Sequence, residues 1–136
     1  MSVQPPTTVF PTQRMGAVSQ LSEVRARFME WLRGAEVDSE RVDDLSVVLS
    51  ELGANAIRET PDGAPRPDVS ARIVGSTLEL TVTNEVGPDA GPADDWDLGD
   101  PLRTGGRGLL LVSAFVDSVD VDVADRRLVV RCVASI

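Results

Sequence analysis

The chain is 136 residues long, 42% apolar and 26% charged, with a net charge of −9. That length accommodates one globular domain with a real core, but not two. The acidic balance opposes non-specific binding to nucleic acid or an anionic membrane, which needs a basic face; it suits cationic or neutral protein partners, or plain solubility.

All 13 basic residues are arginine, and histidine, lysine and tyrosine are absent. No Walker-type lysine can cradle a phosphate, no Ser–His pair can form, and no lysine Schiff base is possible. A single cysteine, Cys132, excludes an internal disulfide, fits a reducing compartment and leaves zinc few ligands. The N-terminal "MSVQPPTTVFPTQRMG" lacks the basic and apolar regions of a signal peptide, and the apolar run "GLLLVSAFV" is too short to span a bilayer. These features point to the cytoplasm. Chemistry is left to Asp, Glu, Arg, backbone amides and Mg²⁺.

Residues 1–17 are rich in Pro and Thr and read as an N-terminal extension or one short edge strand near 8–10. Leu21, Val24, Phe28, Trp31 and Leu32 recur at helical spacing over 19–32, closed by Gly34. A second helix starts after Asp38 or Ser39 and runs through Val42, Leu45, Val48, Leu49 and Leu52 to about Glu59, where "TPDGAPRP" stops it.

The period then switches to two. "DVSARIVG" and "TLELTVTN" are strands joined by a hairpin at Gly75-Ser76. A long loop rich in Gly, Pro and Asp, "GPDAGPADDWDLGDPLRTGG", leads into a short helix, "RGLLLVSAF". Two further alternating strands, "SVDVDV" and "RLVVRCVA", complete the chain, with Cys132 in the apolar register. One-sided strands and amphipathic helices predict a two-layer α+β sandwich: a mostly antiparallel sheet with helices on one face.

On the second helix Glu51 and Asn55 fall on one flank of the apolar stripe, with Arg58 just beyond. Alone, such a pair reads as helix surface. "TGGRGLLL", residues 104–111, supplies a second piece: Gly105, Gly106 and Gly108 allow close backbone approach, the helix start offers free amides, and Arg103 and Arg107 add charge. Together they offer phosphoryl transfer a metal-holding oxygen (Asn55), a carboxylate base (Glu51) and phosphate donors.

Here the chain resembles a family. "ELGANAIR" is similar to the N-box, and "GGRGLLLV" to the glycine-rich end of the ATP lid, of the GHKL nucleotide-binding superfamily, the Bergerat fold. The order of elements resembles it as well, and the small size is most similar to single-domain bacterial anti-sigma factor serine kinases. The resemblance implies that residues 18–136 form an ATP-binding kinase-like domain, with ATP and Mg²⁺ as cofactors. It implies Glu51 as general base, Asn55 on Mg²⁺ and Arg58 near the phosphates. Thr104, Gly105, Gly106, Arg107, Gly108 and Leu109 would wrap the triphosphate. The partners it implies are a sigma factor, a STAS-domain anti-anti-sigma protein and a second copy of the chain in a homodimer, with no direct contact to nucleic acid or membrane.

One box departs from the family pattern. Where the family places an adenine-reading aspartate followed two residues later by glycine, "TVTNEVGP" has Asn84, then Val86, with Gly87 one residue later. Asp94, Asp95, Asp97 and Asp100 make the lid acidic. The alternative reading is a binding module of the same fold with little or no catalysis. A histidine-kinase catalytic part is disfavoured by the missing histidine and the absence of room for a dimerisation helix pair.

Overall fold

The computed structural model describes residues 6–87 and 106–136, with 106–110 described by their backbone alone. In chain order the elements are β1 (Thr7–Arg14), α1 (Val18–Gly34), α2 (Ser39–Glu59), β2 (Asp68–Val74), β3 (Thr77–Glu85), α3 (Gly106–Phe115), β4 (Ser118–Ala124) and β5 (Arg127–Ser135). The strands form one five-stranded sheet in the order β1-β2-β3-β5-β4, and every neighbouring pair is antiparallel. The α+β sandwich expected from the sequence is the fold observed.

Strand alternation determines where the core sits. Val69, Ala71, Ile73, Leu78, Leu80, Val82, Leu128, Val130, Cys132 and Ala134 are buried on one face of the sheet, together with Leu21, Val24, Phe28 and Leu32 of α1 and Leu45, Val48, Leu49 and Leu52 of α2. At the β4 edge the inward Val119, Val121 and Val123 are only half-buried, while Asp120 and Asp122 are exposed and discourage edge-to-edge pairing. Burial pushes the Cys132 thiol up to about 12, helped by the charge of Asp120, which makes it an inert core residue.

Two local expectations are corrected. The first strand is longer than residues 8–10: it spans Thr7–Arg14 and pairs with β2, with an irregularity between Phe10 and Gln13. That break accommodates Pro11, which has no N–H for the ladder. Phe10 then reaches the α1 layer, its ring 5.6 Å from Phe28 and 5.5 Å from Trp31. The second correction concerns the end of α1. The helix ends at Gly34, but the residue that turns left-handed is Glu36, at φ 64°. Val37 N donates to Leu32 O and Glu36 N to Arg33 O, the two bonds of a Schellman cap, so local bonding outweighs the glycine preference.

The C-terminal strand is tied down by Asp117, whose Oδ2 accepts from Ser135 N at 2.8 Å and from Ser135 Oγ at 2.6 Å. These bonds hold its carboxyl below the ordinary range, with Arg41 adding to the effect. A depressed folded value means the contribution is complete above the unfolded value, about 3.9 for Asp. It is lost as pH falls through the folded value. Asp117→Ala is therefore expected to lower the urea midpoint at pH 7 and to leave it nearly unchanged at strongly acid pH. Equal losses at both pH values would refute this account.

Candidate functional site

Helix α2 carries the Glu/Asn flank and packs against α1, β3 and α3. Its seat on α1 depends on Gly53, which lies between Glu51 and Asn55 in sequence. A Cβ there would fall 2.5 Å from Leu21 Cδ1, so the bare backbone lets Leu21 nest into α2. With the Leu45–Leu49–Leu52–Ala56 stripe buried, the angular position of α2 is set, and Glu51 and Asn55 remain half-buried at its margin. One helical turn separates them, a rise of about 6 Å.

Asn55 Oδ1 accepts a hydrogen bond from Arg58 Nη2. The oxygen that the resemblance assigns to a metal is thus engaged by a guanidinium. Glu51 has no ion-pair or hydrogen-bond partner among the described residues. No cluster of three metal-ligating side chains occurs among the described residues. Mg²⁺ is held by one or two protein oxygens plus phosphates and water, and Asn55 Oδ1 is the oxygen of α2 that would serve it.

Asn84 ends the inward register of β3 and is 4% exposed, the one polar side chain buried among the described residues. Its Nδ2 donates to Glu85 O at 2.9 Å, so Oδ1 is the atom it can offer as an acceptor. Val86, at the position where the resemblance leads one to look for glycine, is 4% exposed and joins the core. Its N–H donates to Arg126 O at 2.9 Å and so extends the β3–β5 ladder into the β4–β5 turn. A Cβ at Gly87 would meet no atom of the described residues within 4 Å.

Gly106, Arg107, Gly108 and Leu109 form the first turn of α3, and α3 packs on the helix that bears Glu51 and Asn55. Thr104 and Gly105 lie outside the described residues, as do Arg103, Asp94, Asp95, Asp97 and Asp100. The β4–β5 turn is a feature that sequence reasoning missed. Asp125 and Arg126 are consecutively left-handed, φ 52° and 63°, a conformation whose usual signal is Asn-Gly or Asp-Gly. "ADRR" gives no such signal.

These observations define a class of fold: an α+β sandwich of GHKL type, in which α2 packs against both β3 and α3. The profile of the histidine kinase-like ATPase domain matches residues 16–133, and the chain belongs to that family. No protein with a curated description matches the chain. The structure of the RsbU and RsbW domains of Rv1364c from Mycobacterium tuberculosis is similar at TM-score 0.69 and 16% identity, over 96% of this chain and 32% of that one. This chain thus spans about a third of the length of that chain. The SiaB–SiaC complex from Pseudomonas aeruginosa contains a chain similar at TM-score 0.72 and 12% identity, over 92% of this chain and 89% of that one. At these identities the likeness is one of fold. No helix among the described residues is long and apolar enough to cross a membrane.

The buried amide of Asn84 leads to a two-part expectation. Asn84→Asp loses the bond from Nδ2 to Glu85 O and buries a carboxylate beside that carbonyl, so the nucleotide-free protein should lose about 1–3 kcal/mol. Against adenine the carboxylate is the stronger acceptor by on the order of 1 kcal/mol, so ATP should bind roughly five- to tenfold tighter, and GTP should gain nothing. Urea melts and calorimetry read the two parts separately. Weaker ATP binding would mean that Asn84 serves a contact other than the adenine amine.

Proposed function

We propose that the protein is a cytoplasmic, Mg-ATP-dependent anti-sigma serine/threonine kinase that sequesters a sigma factor and phosphorylates a STAS-domain anti-anti-sigma protein. The observation that carries this reading is the α2 flank, where Asn55 Oδ1 accepts a cation while Glu51 beside it has no partner among the described residues. The family of the chain and its likeness to an RsbW domain and to the SiaB–SiaC complex support it.

In this reading Glu51 takes the proton of the substrate hydroxyl as its oxygen bonds to the γ-phosphorus and the bond from that phosphorus to the ADP oxygen breaks. Asn55 is the residue that would hold Mg²⁺, which supplies charge neutralisation at the phosphates. Arg58, released from Asn55, meets phosphate oxygens with its guanidinium. Backbone amides at the start of α3, with Gly106 and Gly108, receive the phosphate charge. Asn84 Oδ1 receives the adenine amine. Incubation with γ-labelled ATP and candidate STAS proteins tests the assignment: label on a partner serine is expected, and ATP binding without transfer to any candidate would overturn the kinase. A homodimer is part of the proposal and is read by sedimentation equilibrium.

One observation favours the second reading, a sequestering module without catalysis. The position that the resemblance gives to glycine is filled by Val86, which is built into the core and bonded to the β4–β5 turn. Failure to bind any nucleotide would select this reading.

A further inference from the structure

The sheet ends at β4, whose outer edge is unpaired among the described residues. In an antiparallel ladder alternate residues direct their N–H and C=O groups at the neighbour, so β4 uses half of its backbone groups on β5 and presents the other half at the free edge. The strand is regular throughout, and each residue from Ser118 to Ala124 has a partner in β5. The opposite edge differs: β1 carries Pro11, and its pairing with β2 is irregular between Phe10 and Gln13. An incoming strand therefore meets a continuous template at β4 and an interrupted one at β1.

The two faces of the β4 edge differ in chemistry. On the helix side Val119, Val121 and Val123 are half-buried, whereas the matching row of β5, Leu128, Val130 and Cys132, is buried. The helices are the cause: α1 packs on β1 and α2 on β3, which leaves β4 at the margin of the helix layer. On the other face Asp120 and Asp122 are exposed. Neither makes a hydrogen bond or ion pair among the described residues, although Arg131 lies opposite Asp120 in register.

This combination selects its partner. A strand added beside β4 would lay alternate side chains over the valine row, removing apolar surface from water, and set the intervening ones beside the two aspartates. Basic residues there would complete cross-strand pairs. A second copy of β4 would not serve. Antiparallel pairing about Val121 puts Asp120 of each copy opposite Asp122 of the other, and like charges directly opposite are destabilising. The net charge of −9 adds a long-range preference for a cationic segment.

We propose that the β4 edge is a docking site for an extended segment of another protein in which apolar residues alternate with arginine or lysine. Main-chain bonds to the free edge hold the segment, while the valine row and the two aspartates set its register and composition. The site uses none of the residues of the α2 flank and does not depend on the kinase reading.

The test is an amide-resolved NMR titration of the full chain with the capped peptide Arg-Val-Arg-Val-Arg, and in parallel with Glu-Val-Glu-Val-Glu and Arg-Gly-Arg-Gly-Arg. Saturable shifts centred on Asp120, Val121 and Asp122 are expected with the first peptide. The other two should bind at least about tenfold more weakly, one for loss of the charge pairs and the other for loss of valine burial. Asp120→Lys combined with Asp122→Lys should reverse the preference in favour of the glutamate peptide. Asp122→Asn alone should weaken the arginine–valine peptide by about two- to fivefold, so failure of the double variant to fold leaves a second measurement. No saturable shift with the arginine–valine peptide would overturn the proposal, as would equal binding of the arginine–glycine peptide or a preference unchanged in the variants. Shifts at the same amides that grow with protein concentration, without peptide, would overturn it in favour of a second copy.

Discussion

Glu51→Gln is expected to lower phosphoryl transfer to a STAS-domain partner by about 10²–10⁴-fold, the usual contribution of a positioned general base. Glutamine keeps the size and helix preference of the residue and removes only its capacity to take a proton. Because Glu51 has no hydrogen-bond or ion-pair partner among the described residues, the substitution breaks no internal contact seen there, and stability should remain near that of the parent. The base acts in the transition state, so ATP affinity should stay within about twofold while kcat falls. A variant that phosphorylates at the parental rate would return Glu51 to the helix surface. A joint loss of binding and activity would assign it to nucleotide binding.

Asn55→Ala should remove the Mg²⁺-dependent part of ATP binding, weakening it by about 10–100-fold, as expected for losing a bond of about 1.5–3 kcal/mol to a charged group. The bond from Arg58 sharpens the expectation. On the proposed reading, metal and guanidinium compete in the parent for one amide oxygen, so binding would require Arg58 to move. In the alanine variant Arg58 is already free, and part of the phosphate affinity should survive without metal. Calorimetry with ATP, with and without Mg²⁺, separates the two contributions. Equal affinities in parent and variant under both conditions would remove Asn55 from the site. Arg58→Ala provides the complementary measurement: the oxygen is relieved of its competitor, so the metal dependence should become steeper while overall affinity falls.

The fold was legible in the sequence wherever a face could be read from a local period. Leu21, Val24, Phe28 and Leu32 mark the inner stripe of α1, and Leu78, Leu80 and Val82 the inner face of β3, before any partner is known. Burial against a sheet or a helix rewards the same positions whatever lies across the interface. The candidate site was legible for a related reason: Glu51, Asn55 and Arg58 belong to one helix, and their relation depends only on its pitch. Asn84 carried a signal as well, a polar residue in the fourth place of an apolar alternation. Pairwise periodicity alone treats that as the end of a strand, and its burial emerges only when the helix layer is set above it.

What the sequence by itself determined is the element order, the antiparallel character of the sheet and the inward face of each element, because each follows from the spacing of neighbouring residues. Only the tertiary structure decided the strand order β1-β2-β3-β5-β4, the nesting of Leu21 over Gly53 and the bond that joins Val86 to the β4–β5 turn. These contacts connect residues tens of positions apart, and no local period encodes them. Their energy is gained only after the loops between them have closed, so it belongs to the assembled sheet and helix layer rather than to any one segment.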